Sequence, residues 1–180
     1  LDAILAIEEL ARVTPLAAHP VFESSVGPVR VIEQFGTEEL KQKYLPPACR
    51  GEMFFAVGMT EPEAGTAFTD LTTKAALDGD YYVVNGQKRF VTGGGGGEGY
   101  VVYVKLSEQR GARGIGGLVI EKGAPGFSFG KQEQFMGFRG TPSCDLIFED
   151  CRVPKENLVV KEGEFRKLMT AFDLERCGNA

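Results

Sequence analysis

The chain has 180 residues, 43% of them hydrophobic and 25% charged, with a formal net charge of −5. These are the proportions of a globular protein with enough chain for a sizeable core, and the negative balance argues against nucleic acid or an anionic membrane as the main partner. No apolar run approaches the ~20 residues of a membrane-spanning helix, and Cys49, Cys144, Cys151 and Cys177 are scattered, far from the single His19, a pattern of reduced thiols with no metal site.

Residues 1–12 repeat Leu1, Ile4, Leu5 and Leu10 at helical spacing, leaving Glu8, Glu9 and Arg12 for solvent. "TPLAAHP" then predicts an interruption, because Pro15 and Pro20 lack amide donors. A second helix is expected within residues 26–35, with Val29, Ile32 and Phe35 on one face. Thr37 can cap the next, whose first turn carries Glu38 and Glu39 and which should bend or break at Pro46-Pro47. From Met53 the period changes. "YYVVNGQKRFVT" reads as two β-runs joined at Asn85-Gly86, a hairpin signal, and "YVVYVKL", "GIGGLVIEK", "FSFGKQEQ" and "CDLIFEDCRV" add further strands. Helical periodicity returns over residues 165–177.

The expected fold class is therefore α+β: N-terminal helices, a small, mostly antiparallel β-barrel, and the start of a helical bundle, divided at 1–52, 53–158 and 159–180. Both ends read as cut from a longer polypeptide. "GGGGGEG" (residues 93–99) lacks the Lys-Ser/Thr of a phosphate loop and leads into a strand, so it is expected to be a flexible hairpin loop without a site.

One stretch carries chemistry. "FFAVGMTEPEAGTAF" ends an apolar strand in a turn of two hydroxyls, two carboxylates, a proline and a glycine. Taken alone it is a capped turn in which Thr60 and Thr66 satisfy backbone groups. In order with the "DGDYYVVNGQKRFVT" segment, "IEKGAPGFSFGK", "MGFRGTPSCDLIFEDCRVPKENL" and "FDLER", it resembles the acyl-CoA dehydrogenase family over nearly the whole chain. The resemblance implies a flavoenzyme binding FAD, with Val57, Met59 and Thr60 along the isoalloxazine and Gly65 allowing close backbone approach. It further places Thr66 near pyrophosphate or substrate, Phe90 against the flavin, and Thr92 near N5. The sequence departs from the family pattern at Glu63 (usually Gly), Ala67 (usually Asp) and Val57 (usually aromatic). Arg139 is open to an anionic group or to Glu149 or Asp150.

The implied reaction is α,β-dehydrogenation of an acyl-CoA thioester, a carboxylate removing the Cα proton while the Cβ hydride passes to flavin N5. Most of the family place that glutamate beyond residue 180. Its isovaleryl-CoA and long-chain branches carry it where Glu175 stands here, with Asp173 a weaker candidate and a solvent-facing Glu175–Arg176 pair the plain alternative. The resemblance also implies an electron-transfer flavoprotein as acceptor, a homodimer or homotetramer, and a bacterial cytoplasmic or mitochondrial matrix setting. Other chemistries of the same fold are an acyl-CoA oxidase, an enoyl-CoA reductase and a flavin monooxygenase, and the 180 residues alone could be a binding or structural module without turnover.

Overall fold

A computed structural model describes residues 2–179, so Leu1 of the expected first helix lies outside the described residues. Four helices come first: α1 (Asp2–Val13), α2 (Pro15–Ser25), α3 (Pro28–Phe35) and α4 (Glu38–Cys49). Eight strands follow: β1 (Phe55–Gly58), β2 (Lys74–Asp78), β3 (Tyr81–Thr92), β4 (Gly99–Lys105), β5 (Ile115–Glu121), β6 (Phe127–Phe129), β7 (Ser143–Pro154) and β8 (Leu158–Val160). A fifth helix, α5 (Phe165–Asn179), ends the chain.

The strands form one sheet ordered β6-β7-β3-β2-β4-β5-β8, with β1 also paired to β4. β1 and β2 run parallel to β4, and the other pairs are antiparallel. The α+β expectation holds, but "barrel" is too strong. Closure would require β6 and β8, the two ends, to pair, and each is only three residues long.

β4 and β5 are buried on both faces, which explains their unbroken apolar runs. Alternate residues feed opposite cores. Val101, Tyr103, Ile115 and Val119 join α3, α4 and α5 in one, while Tyr100, Val102, Val104, Leu118 and Ile120 meet Leu146 and Phe148 of β7 in the other. The helices thus pack on one face of the sheet, and that junction holds the site described below.

Several local expectations are corrected. Pro20 lies inside α2, which Thr14 Oγ1 caps by accepting from the Leu16 amide at 3.3 Å, and α4 continues through Pro46-Pro47 to Cys49. Prolines remove single helical bonds, and capped flanking turns carry the helix past them. Thr37 caps α4 as expected, accepting from the Leu40 amide. No residue of α1 is fully buried, and Leu5 is 51% exposed.

Asn85-Gly86 is not a hairpin turn. β3 runs straight through it with a register shift between Val84 and Gly86 opposite β7, a β-bulge. The Asn85 side chain spans to β7, donating to Asp150 Oδ1 at 3.0 Å and accepting from the Asp150 amide at 2.8 Å. The actual hairpin joins β2 to β3 through Gly79, at φ 63°. Residues 93–99 are likewise no flexible hairpin loop. They link β3 and β4, which do not pair with each other, in a packed turn: Tyr100 Oη accepts from the Gly95 amide and donates to the Gly97 carbonyl, while Gln132 and Lys122 donate to the Gly94 and Gly95 carbonyls.

Gly86 has φ 142°, and a Cβ there would lie 2.6 Å from Thr73 Oγ1 and 2.7 Å from Thr73 Cα. Gly86→Ala is therefore expected to lower stability by about 2 kcal/mol, read as a shift of the urea midpoint at unchanged slope.

Candidate active site

The turn after β1 is fixed from beneath. Glu61 points inward from "TEPEAGT", its side chain 2% exposed, and pairs at 2.7 Å with the Lys88 ammonium of β3, which is fully buried. The carboxylate also accepts from the Thr72 amide (2.6 Å), the Thr72 hydroxyl (2.8 Å) and the Thr73 amide (2.9 Å). Burial alone would raise the Glu61 carboxyl, but the Lys88 charge and these donors outweigh it and bring the group down to about 2. Lys88 also donates to the Met59 carbonyl at 3.3 Å, and the Arg89 amide donates to the Thr60 carbonyl at 2.7 Å. The end of β1 is thereby held against β3.

A second bulge, between Lys88 and Val91, shapes the facing strand. Phe90 sits there at φ 54°, an uncommon backbone for an aromatic residue. Its ring is 47% exposed beneath the Arg89 guanidinium at 4.5 Å. Asp145 of β7 secures the bulge, accepting from the Gln87 side chain at 2.7 Å, from Arg89 at 3.4 Å and from the Phe90 amide at 3.3 Å.

Between these strand ends and the helices lies a cavity of about 260 Å³. Val57, Met59, Thr60, Arg89, Phe90, Val91 and Thr92 form its strand wall. His19, Phe22 and Glu23 of α2, Glu175 and Arg176 of α5, and Phe138 complete it. Six positions singled out from sequence therefore converge: Val57, Met59, Thr60, Phe90, Thr92 and Glu175. Gly65 and Thr66 do not line the cavity. They are exposed on the outer part of the turn, and nothing lies within 4 Å of a Cβ built on Gly65. Glu63 is exposed there too, without positive φ. Arg139 donates to the Phe135 carbonyl, and Asp150 is engaged by Asn85.

Glu175 is hydrogen-bonded to Arg176 at 3.0 Å, as the plain alternative required, yet its side chain is only 12% exposed and does not face solvent. Burial raises its carboxyl pKa, with Arg176 opposing. Asp173 is exposed. From sequence, neither His19 nor Glu23 stood out. Their i,i+4 spacing on α2 was the available signal, hidden because Pro20 argued against a helix there.

The chemistry of the two walls differs. The strand wall offers hydroxyls, apolar groups and a guanidinium, with no carboxylate. Both carboxylates, Glu23 and Glu175, come from the helices. Such a strand wall suits a flat redox cofactor that gains negative charge on reduction, with Thr60 and Thr92 hydroxyls and the Phe90 ring along it, so the residues present fit a flavin.

The family model for "Acyl-CoA dehydrogenase, middle domain" matches residues 56–151 and that for "Acyl-CoA dehydrogenase, N-terminal domain" residues 1–52. The chain belongs to the acyl-CoA dehydrogenase family. It is 43% identical to a short-chain specific acyl-CoA dehydrogenase of Clostridium acetobutylicum, over 100% of this chain and 48% of the relative. It is 38% identical to an acryloyl-CoA reductase (NADH) of Anaerotignum propionicum, over 99% of this chain and 46% of the relative. The solved butyryl-CoA dehydrogenase of Megasphaera elsdenii superposes with a TM-score of 0.93 at 38% identity, covering 97% of this chain and 46% of that one. The chain thus spans about half the length of the acyl-CoA dehydrogenase relatives it matches.

Lys88→Met would leave Glu61 buried without its counter-charge, at an expected cost of about 3–5 kcal/mol in urea denaturation. The sign with pH follows from the depressed folded pKa of Glu61. Its contribution is complete above its ordinary value of 4.5 and is lost as pH falls toward about 2. Stability measured across that window should fall in the wild type, and Glu61→Gln should lack that component of the fall.

Proposed function

We propose that the protein is an FAD-dependent acyl-CoA dehydrogenase acting on a short-chain thioester, with this chain supplying the flavin-facing strand wall and the catalytic base. The observation that carries this is the one-sided placement of carboxylates across one cavity: hydroxyls and an aromatic ring without a carboxylate on the strands, and two buried carboxylates, Glu23 and Glu175, on the helices opposite.

FAD held there would supply a hydride acceptor for the Cβ hydrogen, the product being a trans-2-enoyl-CoA. Val57, Met59, Thr60, Phe90 and Thr92 would hold its ring, and Gly65 and Thr66 the chain leading from it. Glu175 takes the Cα proton. Burial raises its pKa toward that of an effective base, while Arg176 limits the rise. The Glu175 side chain is only 12% exposed, which limits the access of water to the carboxylate. An electron-transfer flavoprotein is the proposed acceptor and a homo-oligomer the proposed assembly, both resting on family membership. Similarity to an acryloyl-CoA reductase supports a second reading, the same site working toward the saturated thioester.

The purified, flavin-loaded protein should bleach at its visible flavin bands on anaerobic addition of butyryl-CoA, and Glu175→Gln should lose that bleaching by about 10²-fold or more in rate. A reductase would instead show its pre-reduced flavin reoxidised rapidly by a short enoyl-CoA, with little bleaching by the saturated thioester. Because the base works deprotonated and its pKa is raised, the dehydrogenation rate should climb with pH through a midpoint above 4.5. Among the described residues, Arg176 bonds that carboxylate, Glu23 and Tyr103 feel its charge, and His19 and Arg89 line the same cavity. A colourless protein that neither takes up FAD nor responds to any thioester would overturn the proposal.

A further inference from the structure

The helix wall of the cavity holds more polarity than proton abstraction requires. Glu23 is 4% exposed, and its Oε2 has no hydrogen-bond partner. His19, one turn earlier on α2, points Nε2 toward Glu23 Oε1 at 3.5 Å, beyond good hydrogen-bond length, and that nitrogen is also buried and unpartnered. Phe22, Phe54 and Phe138 surround the imidazole, the Phe138 ring meeting it edge-on at 5.3 Å. Two unsatisfied polar atoms in an aromatic pocket are costly unless something completes them.

The cations nearby do not complete them. Arg176 is engaged by Glu175 at 3.0 Å, and Arg89 by Asp145 at 3.4 Å and Glu133 at 3.7 Å. Burial favours the uncharged form of both unsatisfied groups: it raises the Glu23 carboxyl, helped by the neighbouring Glu175, and lowers the His19 imidazole. An uncharged acid beside an uncharged imidazole fits a neutral group that both donates and accepts, better than an ion or a hydrocarbon.

We infer that His19 and Glu23 form a specificity element for the acyl chain, selecting a short thioester that carries a hydroxyl beyond Cβ over its plain hydrocarbon counterpart. This rests on the cavity being the acyl-CoA site. With the flavin on the strand wall and the base at Glu175, the chain beyond Cβ runs along α2, where Phe22 packs its methylenes and the His19–Glu23 pair takes its hydroxyl. A site built to hydrogen-bond such a group discriminates strongly against a substrate that leaves its buried polar atoms unpaired.

The test compares butyryl- and pentanoyl-CoA with 4-hydroxybutyryl- and 5-hydroxypentanoyl-CoA on the flavin-loaded protein, by calorimetric Kd and by anaerobic bleaching rate. At least one hydroxylated member should bind about tenfold or more tightly than its plain counterpart. Glu23→Gln, which keeps shape and hydrogen bonding, should retain the preference, and Glu23→Leu should erase it, with thermal melts confirming that both variants fold. Equal or tighter binding of both plain thioesters by the wild type would overturn the inference while leaving the dehydrogenase proposal standing, as would a Glu23→Leu protein that keeps the preference. Failure of all four thioesters to bind would overturn both.

Discussion

Two opposite charges buried side by side set the geometry of this molecule. Glu61 and Lys88 come from segments 27 residues apart and are almost wholly removed from water. Desolvating both is expensive, and an apolar pair of similar volume could serve stability as well. What an apolar pair could not do is specify position. Glu61 accepts from two consecutive threonines, while Lys88 adds a bond to the Met59 carbonyl. Together these contacts fix where β1 ends, where the following loop re-enters β2, and how far β3 stands from both.

The bulge in β3 between Lys88 and Val91 depends on that anchoring. In a regular strand, Lys88, Phe90 and Thr92 would share one face, since side chains repeat every two residues. The extra residue between Lys88 and Val91 breaks the period. Lys88 stays inside, fully buried, while Phe90 emerges 47% exposed at positive φ. Without this sorting, either the ammonium would enter the cavity or the ring would bury itself in the sheet. Backbone strain at Phe90 is held by Asp145 from β7 and by the Arg89 guanidinium over the ring, so the strain sits where surrounding structure over-determines it.

This also explains what could be seen in the sequence. Helix caps at Thr37 and the continuous apolar runs of β4 and β5 are local signals, and they gave the right elements. The convergence of Val57, Met59, Thr60, Phe90, Thr92 and Glu175 on one cavity was reached through motif resemblance, which encodes tertiary proximity that periodicity does not. Asn85-Gly86 misled because the dipeptide permits positive φ without saying whether a turn or a strand opposite a bulge in β7 uses it. The deciding partner was Asp150, 65 residues away. Lys88 gave no signal in the sequence, because nothing near it announces Glu61. Pro20 hid the His19–Glu23 spacing, since a proline is read as a helix stop although only one hydrogen bond is lost. β2 and β8 escaped because each is short, and β2 is mostly exposed.

The cavity joins the two halves of the fold in a way that matters chemically. In the proposed reaction hydride and proton leave adjacent carbons toward opposite sides, so an acceptor and a base on the same wall would compete for one approach. Here the strands, whose inward positions are fixed by the sheet, carry no carboxylate toward the cavity, and α2 and α5 carry two. Packing helices on a sheet face therefore does more than bury Leu168 and Ala171. It sets acidic side chains opposite the strand wall proposed to hold the flavin, where burial raises their pKa. The proximity of Glu23 to Glu175 adds like-charge repulsion to that burial and raises the Glu23 carboxyl further. Arg176 stabilises the charge on Glu175, whereas Glu23 has only a weakly placed imidazole. That asymmetry agrees with the proposed division of labour, Glu175 as proton acceptor and Glu23 as a binding group.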